Sequence, residues 1–399
     1  MNKKMKLSII IFIILTLLLS GCSTLLKPEV NSDNIVNIDR EKVNEETPPI
    51  IEEVVEDRIE EISLLAVGDI MFHSPQVKAA YLGEGQYDFT PTFKYVKEYI
   101  ESADIALVNY ETVTVNNKAY SGYPRFNSPK ETILTLAETG FDIISTANNH
   151  SLDQGKAGIL STLDAIDEYG LKSIGTYRTP EEPVLIEDVK GIKIGLLSYT
   201  YGLNGLDSLL TKEELTYMIN LINEEKMKSD IEKTKELGAD LIVLFLHWGN
   251  EYHNSPSNYQ IELGEKIMEW GGNIILGSHP HVIQKSEIME KPEENFIIYS
   301  MGNFLSNQSK ETMGNSFTED GVMVKLNIEK NFTTGESIIK EVVYIPTWVY
   351  KYKSEGKFHY EILPVEEVIS EKLNIELTKT VFNRIEDSYN NTLNTIMGK

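Results

Sequence analysis

Five short apolar runs in this chain each stop at a polar cluster, and that repetition constrains the fold more than any other feature of the sequence. Leu64 to Val67 leads into Gly68-Asp69-Ile70-Met71-Phe72-His73, and Asp104 to Val108 into Asn109-Tyr110-Glu111. Phe141 to Ser145 leads into Thr146-Ala147-Asn148-Asn149-His150, Leu241 to Leu246 into His247-Trp248-Gly249-Asn250-Glu251-Tyr252-His253, and Asn273 to Leu276 into Gly277-Ser278-His279-Pro280-His281. Four of these clusters hold six of the chain's seven histidines. The runs have the length of strands, and further ones follow at Leu171 to Ser173, Ile192 to Tyr199 and Phe296 to Ser300. Helical patterns lie between them at Phe93 to Glu101, Lys130 to Glu138, Gly155 to Tyr169, Lys212 to Leu237 and Asn258 to Trp270. Strands alternating with helices predict an α/β fold. In open α/β sheets the loops at the carboxyl ends of the strands converge on one crevice, so these distant clusters are expected to pool their side chains there.

The two ends of the chain read differently. Lys3, Lys4 and Lys6 precede an apolar stretch from Leu7 to Leu19, shorter than the roughly 20 residues of a membrane span. Leu19-Ser20-Gly21-Cys22 then resembles a lipobox, which predicts a signal peptide over 1–21, export, and lipidation of Cys22. Cys22 is the only cysteine, so an internal disulfide and a catalytic thiolate are both excluded. Residues 22–61 are polar and acidic without periodicity, as expected of a spacer between a lipid anchor and a folded domain over 62–350. Gly321 to Asn327 and Ile338 to Tyr344 alternate like an antiparallel pair, and Val365 to Met397 is helix-prone, giving a mainly helical extension over 351–399. The net charge of −24 repels phosphate backbones and argues against a nucleic-acid partner.

The residue chemistry of the clusters is that of a metal or hydrolytic site. Glycine before Asp69 lets the chain turn at a strand end and frees the carboxylate, although aspartate is also a common turn former. Glu111 carries the same ambiguity in so acidic a chain. Asparagine oxygens at Asn148 or Asn149 suit borderline cations, and His150 beside them can act as a general acid. His279 and His281 are two residues apart, so in an extended segment both imidazoles would point one way, toward Zn, Mn or Fe. His247 ends the most apolar run and is either a ligand or a core histidine. Glu251 and Tyr252 beyond it can bind substrate or line the rim. Arg125, in Tyr123-Pro124-Arg125-Phe126, can grip a carboxylate or phosphate or sit in a surface ion pair. Ser300 to Phe304 is expected to support the crevice floor. No Gly-x-Ser-x-Gly elbow surrounds Ser145, Ser278 or Ser300, which disfavours a serine hydrolase.

Taken together, Gly68-Asp69, Asn109-Tyr110-Glu111, Ala147-Asn148-Asn149-His150 with Asp153 and Gly155, His247-Trp248-Gly249 with Glu251-Tyr252, Gly277-Ser278-His279-Pro280-His281-Val282 with Gln284, and Gly302-Asn303-Phe304 resemble the CapA family. These are bacterial capsule-synthesis proteins associated with poly-gamma-glutamate, and their domains look like calcineurin-type metallophosphoesterases. The resemblance implies a four-layer αββα sandwich with one or two divalent ions. It implies that Asp69, Glu111, Asn149, His247, His279 and His281 are metal ligands, that Asp69 also serves catalysis, and that His150 protonates a leaving group. It leaves Arg125, Asn109, Glu251 and Tyr252 for substrate. Two departures stand out: Met71 occupies the place of a first-motif histidine, with His73 two residues further on, and Glu111 replaces an aspartate at the metal bridge. The function implied is synthesis, export or attachment of an anionic surface polymer, with the membrane, the polymer and membrane synthase subunits as partners. A metal-dependent hydrolase of envelope phosphoesters or amides, and a non-catalytic scaffold, are the alternatives.

Overall fold

The computed structural model describes residues 57–289 and 295–399, so the expected signal, Cys22 and most of the expected spacer lie outside the described residues. The chain enters with β1 (Ile59–Ile70), three residues before the expected domain start, then α1 (Ser74–Ala80) and a small hairpin of β2 (Tyr81–Gly83) and β3 (Gln86–Tyr87). Two short helices follow, α2 (Thr90–Phe93) and α3 (Lys97–Glu101), then β4 (Ile105–Tyr110), α4 (Glu131–Thr139), β5 (Ile143–Ser145), α5 (Gly155–Glu168) and β6 (Lys172–Ile174). The middle of the chain forms β7 (Leu185–Val189), β8 (Ile192–Thr200), α6 (Glu224–Glu236), β9 (Leu241–His247), α7 (Asn258–Trp270), β10 (Ile274–Ser278), β11 (Ser286–Met289) and β12 (Asn295–Ile298). The rest is β13 (Asn303–Leu305), α8 (Lys310–Met313), the long strands β14 (Asp320–Asn331), β15 (Ser337–Ser354) and β16 (Lys357–Pro364), and the helices α9 (Val365–Ile369) and α10 (Lys379–Ile396).

Two sheets result. The first runs β16-β15-β14-β1-β4-β5-β6 with β13 also on β1, and the second runs β11-β12-β10-β9-β8-β7. In β1 alternate residues serve opposite layers: Ile62, Leu64 and Ala66 meet Val243, Phe245, Leu276 and Phe296 of the second sheet, whereas Leu65 and Val67 meet Phe93, Ile133 and Leu136 of the helices outside the first. The outer face of the second sheet, with Leu244, Leu246 and Ile275, is covered by Met227 and Ile231 of α6 and Leu263 and Ile267 of α7. The architecture is therefore a four-layer αββα sandwich. It explains why the strands read as continuous apolar runs, since both faces of each are buried. Burying one such Leu, Ile or Phe is worth about 1.5–3 kcal/mol, which makes the inter-sheet layer a main source of stability.

Three expectations are corrected. The Phe93 to Glu101 helix is two, because the chain turns between α2 and α3. The long helix expected over Lys212 to Leu237 begins only at Glu224, where the Asn223 side chain accepts the Lys226 N–H at 2.9 Å. Upstream, Ile219 and Leu221 bridge to Thr176 and Thr200 instead, and these backbone bonds compete with the helix. Residues 351–364, placed in the helical extension, belong to β15 and β16, and α9 and α10 pack on them through Trp348, Leu363, Val365, Val368 and Ile385.

β1, β4, β5 and β13 run parallel in the first sheet and β8, β9, β10 and β12 in the second. Side chains at their carboxyl ends are neighbours across the sheet: Asp69 is in register with Asn109 and Asn303, and His247 with Thr200 and Ser278.

Candidate metal centre

Gly68 determines how Asp69 is presented. A Cβ at this position would stand 2.0 Å from the Gly302 carbonyl oxygen, so only glycine lets β1 pass that close, and the Asp69 N–H donates to the same oxygen at 3.0 Å. The Asp69 carboxylate, fully buried, accepts from Asn109 Nδ2 at 2.7 Å and from the His279 backbone N–H at 3.1 Å. Its Oδ2 lies 3.2 Å from His281 Nδ1.

Glu111, just past β4, is the most unusual group in the molecule. It is fully buried, and among the described residues neither carboxylate oxygen has a hydrogen-bond partner. Oε1 lies 3.6 Å from His247 Nε2 and 3.7 Å from His281 Nε2. Burial, reinforced by the nearby charges of Asp69 and Glu251, raises its pKa well above the usual carboxylate range. A carboxylate so placed is costly unless a positive charge joins it.

Two imidazoles of the crevice, His247 and His279, are pushed toward the neutral form. His247 ends β9, with Nδ1 3.0 Å from Ser278 Oγ and 3.2 Å from Asn109 Nδ2, and Nε2 2.9 Å from Asn149 Oδ1. Burial, with His279, His281 and His150 close by, pushes its pKa well below the ordinary histidine value. Burial also pushes His279 down to about 3, and among the described residues its buried Nδ1 has no partner. His279 and His281 are not in an extended segment as expected. Their φ angles are 94° and 57°, so the chain turns back after β10, and this turn brings both rings to the crevice with centroids 5.9 Å apart. Positive φ in residues other than glycine is strained, and such strain concentrates at functional sites.

Donor atoms of Asp69, Glu111 and His281 lie within 4.8 Å of one another, and so do those of Glu111, His247 and His279. Glu111 belongs to both groups. Asn149 joins the second through its contact with His247, while Asn148 is turned away and braces the Tyr110 carbonyl at 2.9 Å. Beside them, His150 Nδ1 lies 2.8 Å from Asp153 Oδ2.

The remaining expected residues divide. Asn109 is fully buried, and its amide contacts Asp69 and His247 beneath the candidate donor groups. Glu251 forms a third group of potential donors with His279 and His281. Tyr252, with its ring 6.0 Å from His281, borders the crevice. Arg125 is exposed on a loop whose next residue, Phe126, packs edge-on against His150, and among the described residues it makes no salt bridge. His73, two residues beyond Met71, stands outside these groups: its Nδ1 accepts the Asn307 N–H at 3.3 Å, and Met71 is buried and apolar. Asn303 supports the floor as expected, with Oδ1 3.1 Å from His281 Nδ1. Tyr201, whose ring lies 4.4 Å from that of His279, went unassigned in the sequence, although it follows strand β8 just as the clusters follow theirs.

Residues 63–308, more than half of the chain, match the family described as "Bacterial capsule synthesis protein PGA_cap". The chain belongs to that family. Among relatives of this PGA_cap protein, the "Capsule biosynthesis protein CapA" of Bacillus anthracis is 28% identical over 284 residues, covering 69% of this chain and 66% of that protein. The "PGA biosynthesis protein CapA" of Bacillus subtilis (strain 168) is 27% identical over 285 residues, covering 68% and 69%. The chain thus spans about two thirds of the length of these relatives. Similar solved structures include a novel phosphatase from Mycoplasma pneumoniae, at TM-score 0.45 and 15% identity over 72% of this chain and 95% of that one. The calcineurin-like phosphoesterase YfkN from Bacillus subtilis gives a TM-score of 0.42 at 16% identity over 84% and 98%. The layer order described above rests on the packing of this chain itself.

Proposed function

We propose that this PGA_cap protein is an exported, lipid-anchored envelope protein whose crevice takes divalent metal and acts on an anionic surface polymer of the poly-gamma-glutamate type during its synthesis, export or attachment. The observation that carries the metal reading is Glu111, a buried carboxylate that among the described residues has no hydrogen-bond donor and lies between the imidazoles of His247 and His281. Asp69, Glu111 and His281 would hold one ion, and Glu111, Asn149, His247 and His279 the other. This mixture of oxygen and neutral nitrogen donors suits Mn, Zn or Fe.

A divalent ion held there supplies Lewis acidity, polarising the attacked centre and making water a stronger acid. The protein's own residues do the rest. Asp153 accepts the Nδ1 proton of His150, which fixes the tautomer and leaves Nε2 for proton exchange with a leaving group. Asn109 and Ser278 keep His247 in place from behind. Arg125, exposed and among the described residues without a salt bridge, adjoins Phe126, which packs on His150, and would meet an incoming anion from there.

Lipid anchoring is supported by Leu19-Ser20-Gly21-Cys22 alone; among the described residues no helix is long and apolar enough to cross a membrane. The test is elemental analysis of the mature chain purified without chelator, repeated for Glu111→Ala and His279→Ala. One or two equivalents of metal in the parent chain and a loss in both variants is expected. A metal-free parent that Mn or Zn does not stabilise would leave a scaffold or polymer-binding subunit instead.

A further inference from the structure

β14 and β15 pair only as far as Asp320 opposite Trp348. Beyond that point β15 continues to Ser354 with β16 on one side, and no described strand on the other. This free edge faces a cleft of about 740 Å³ between the 306–311 segment and α10. Because the cleft lies at an edge, side chains from both faces of β15 reach it: Tyr350 and Tyr352 stack on one side, and Lys351 and Lys353 stand on the other.

The charge there is opposite to that of the molecule. Lys310, Lys351, Lys353 and Arg384 line the cleft against Glu311, Glu319 and Asp387, in a chain with 37 basic and 61 acidic residues. Glu319 is taken up by Arg384, and nearby Glu361 by Lys94. Lys351 Nζ donates only to Asn307 Oδ1, at 2.8 Å, and among the described residues Lys310, Lys351 and Lys353 pair with no carboxylate.

The cleft adjoins the crevice. Gln308 on its wall donates to Tyr252 Oη at 3.3 Å and accepts from Asn303 Nδ2 at 3.1 Å, and Asn303 in turn contacts His281.

We propose that the cleft along the free edge of β15 binds an extended stretch of a carboxylate-bearing amide polymer and leads it to the crevice. The proposal deepens the reading above and rests on it for the polymer class. An unpaired strand edge offers N–H and C=O groups to the amides of an extended chain, as in strand addition to a sheet, and the lysines offer charge to its carboxylates. A uronic-acid polysaccharide carries the carboxylates without the backbone amides.

The experiment titrates the full-length mature chain with purified gamma-linked glutamate oligomers, and with oligogalacturonate of equal charge, by calorimetry and amide hydrogen exchange. The glutamate oligomer is expected to bind more tightly than oligogalacturonate and to slow exchange at 349–353. Lys353→Glu, at an exposed site, and Lys310→Glu are each expected to weaken it at least fivefold, while Lys228→Glu, exposed on α6 away from the cleft, leaves it within twofold. Binding indifferent to both cleft-lysine reversals, or weakened equally by Lys228→Glu, overturns the cleft and leaves the metal reading standing. Equal binding of oligogalacturonate without protection at 349–353 overturns the amide polymer. Failure of the glutamate oligomer to bind a metal-loaded parent chain overturns the polymer reading itself.

Discussion

His150 Nδ1 lies 2.8 Å from Asp153 Oδ2, and both side chains are buried beside the ligand cluster. The pair sets which nitrogen carries the proton. His150→Ala is expected to lower any metal-dependent hydrolysis about 10²–10⁴-fold, the usual worth of a positioned acid or base. Asp153→Asn should give part of that loss at unchanged metal content, together with a tautomer shift visible in the ¹⁵N resonances of His150. Unchanged kinetics in both variants would remove His150 from the chemistry.

Acid titration of the metal-free chain follows from the buried histidines. Burial lowers His73 to about 4 and His279 to about 3, and holds His247 well below its ordinary value. Each takes up a proton more readily unfolded than folded. Their contribution is complete above pH ~6.5 and is lost progressively as pH falls toward 4, at up to about 1.4 kcal/mol per pH unit per group. Thermal unfolding scans at pH 4 to 7 should show Tm rising with pH.

Glu111 acts with the opposite sign. Its folded pKa is raised, so its contribution is present below pH ~4.5 and is lost as pH climbs toward the folded value. In metal-free protein it therefore opposes the histidines from pH ~4.5 upward. Glu111→Gln should gain stability with pH more steeply than the parent chain over that range, and gain nothing from added Mn or Zn. Parallel curves for both chains would show that Glu111 is not the strained group.

Gly68→Ala tests the backbone approach at the Asp69 end of β1. Its Cβ would meet the Gly302 carbonyl, which cannot swing aside as a side chain could. Metal affinity is expected to fall about 10–100-fold, as for other outer-shell disturbances, while far-UV circular dichroism keeps its native form. Competition with a fluorescent chelator reads the affinity.

Cys22→Ala should move the protein from the membrane fraction to the soluble exported fraction. Mass spectrometry of the mature N-terminus checks the same point directly, since a diacylglycerol on Cys22 has a defined mass.

Much of the layering was legible because strands covered on both faces leave continuous apolar runs, as at Leu64 to Val67 and Leu241 to Leu246. Helix limits were less so. Lys212 to Asn223 has a helical pattern, but Ile219 and Leu221 find strand-like partners 43 and 21 residues earlier, at Thr176 and Thr200, and local pattern carries no trace of such partners. In the site, the strand-end rule brought Asp69, Glu111, Asn149, His150, His247, His279 and His281 into view together. It could not tell which way each side chain turns: Asn109 and Asp153 prove to hold other residues, and Tyr201 was passed over because tyrosine after a strand is common. The His279-Pro280-His281 geometry failed for a different reason, since a left-handed turn at histidine runs against residue preference.

Asp69 and Glu111 come from the first sheet, whereas His247 and His279 come from the second. Any ion bound among them is consequently a rivet through the seam of the sandwich. An ion at a hundred times its Kd adds about 2.7 kcal/mol to the folded state. Loss of metal in a chelating environment would loosen the two halves against each other, so turnover of the protein would follow metal supply even where the chemistry is not being used.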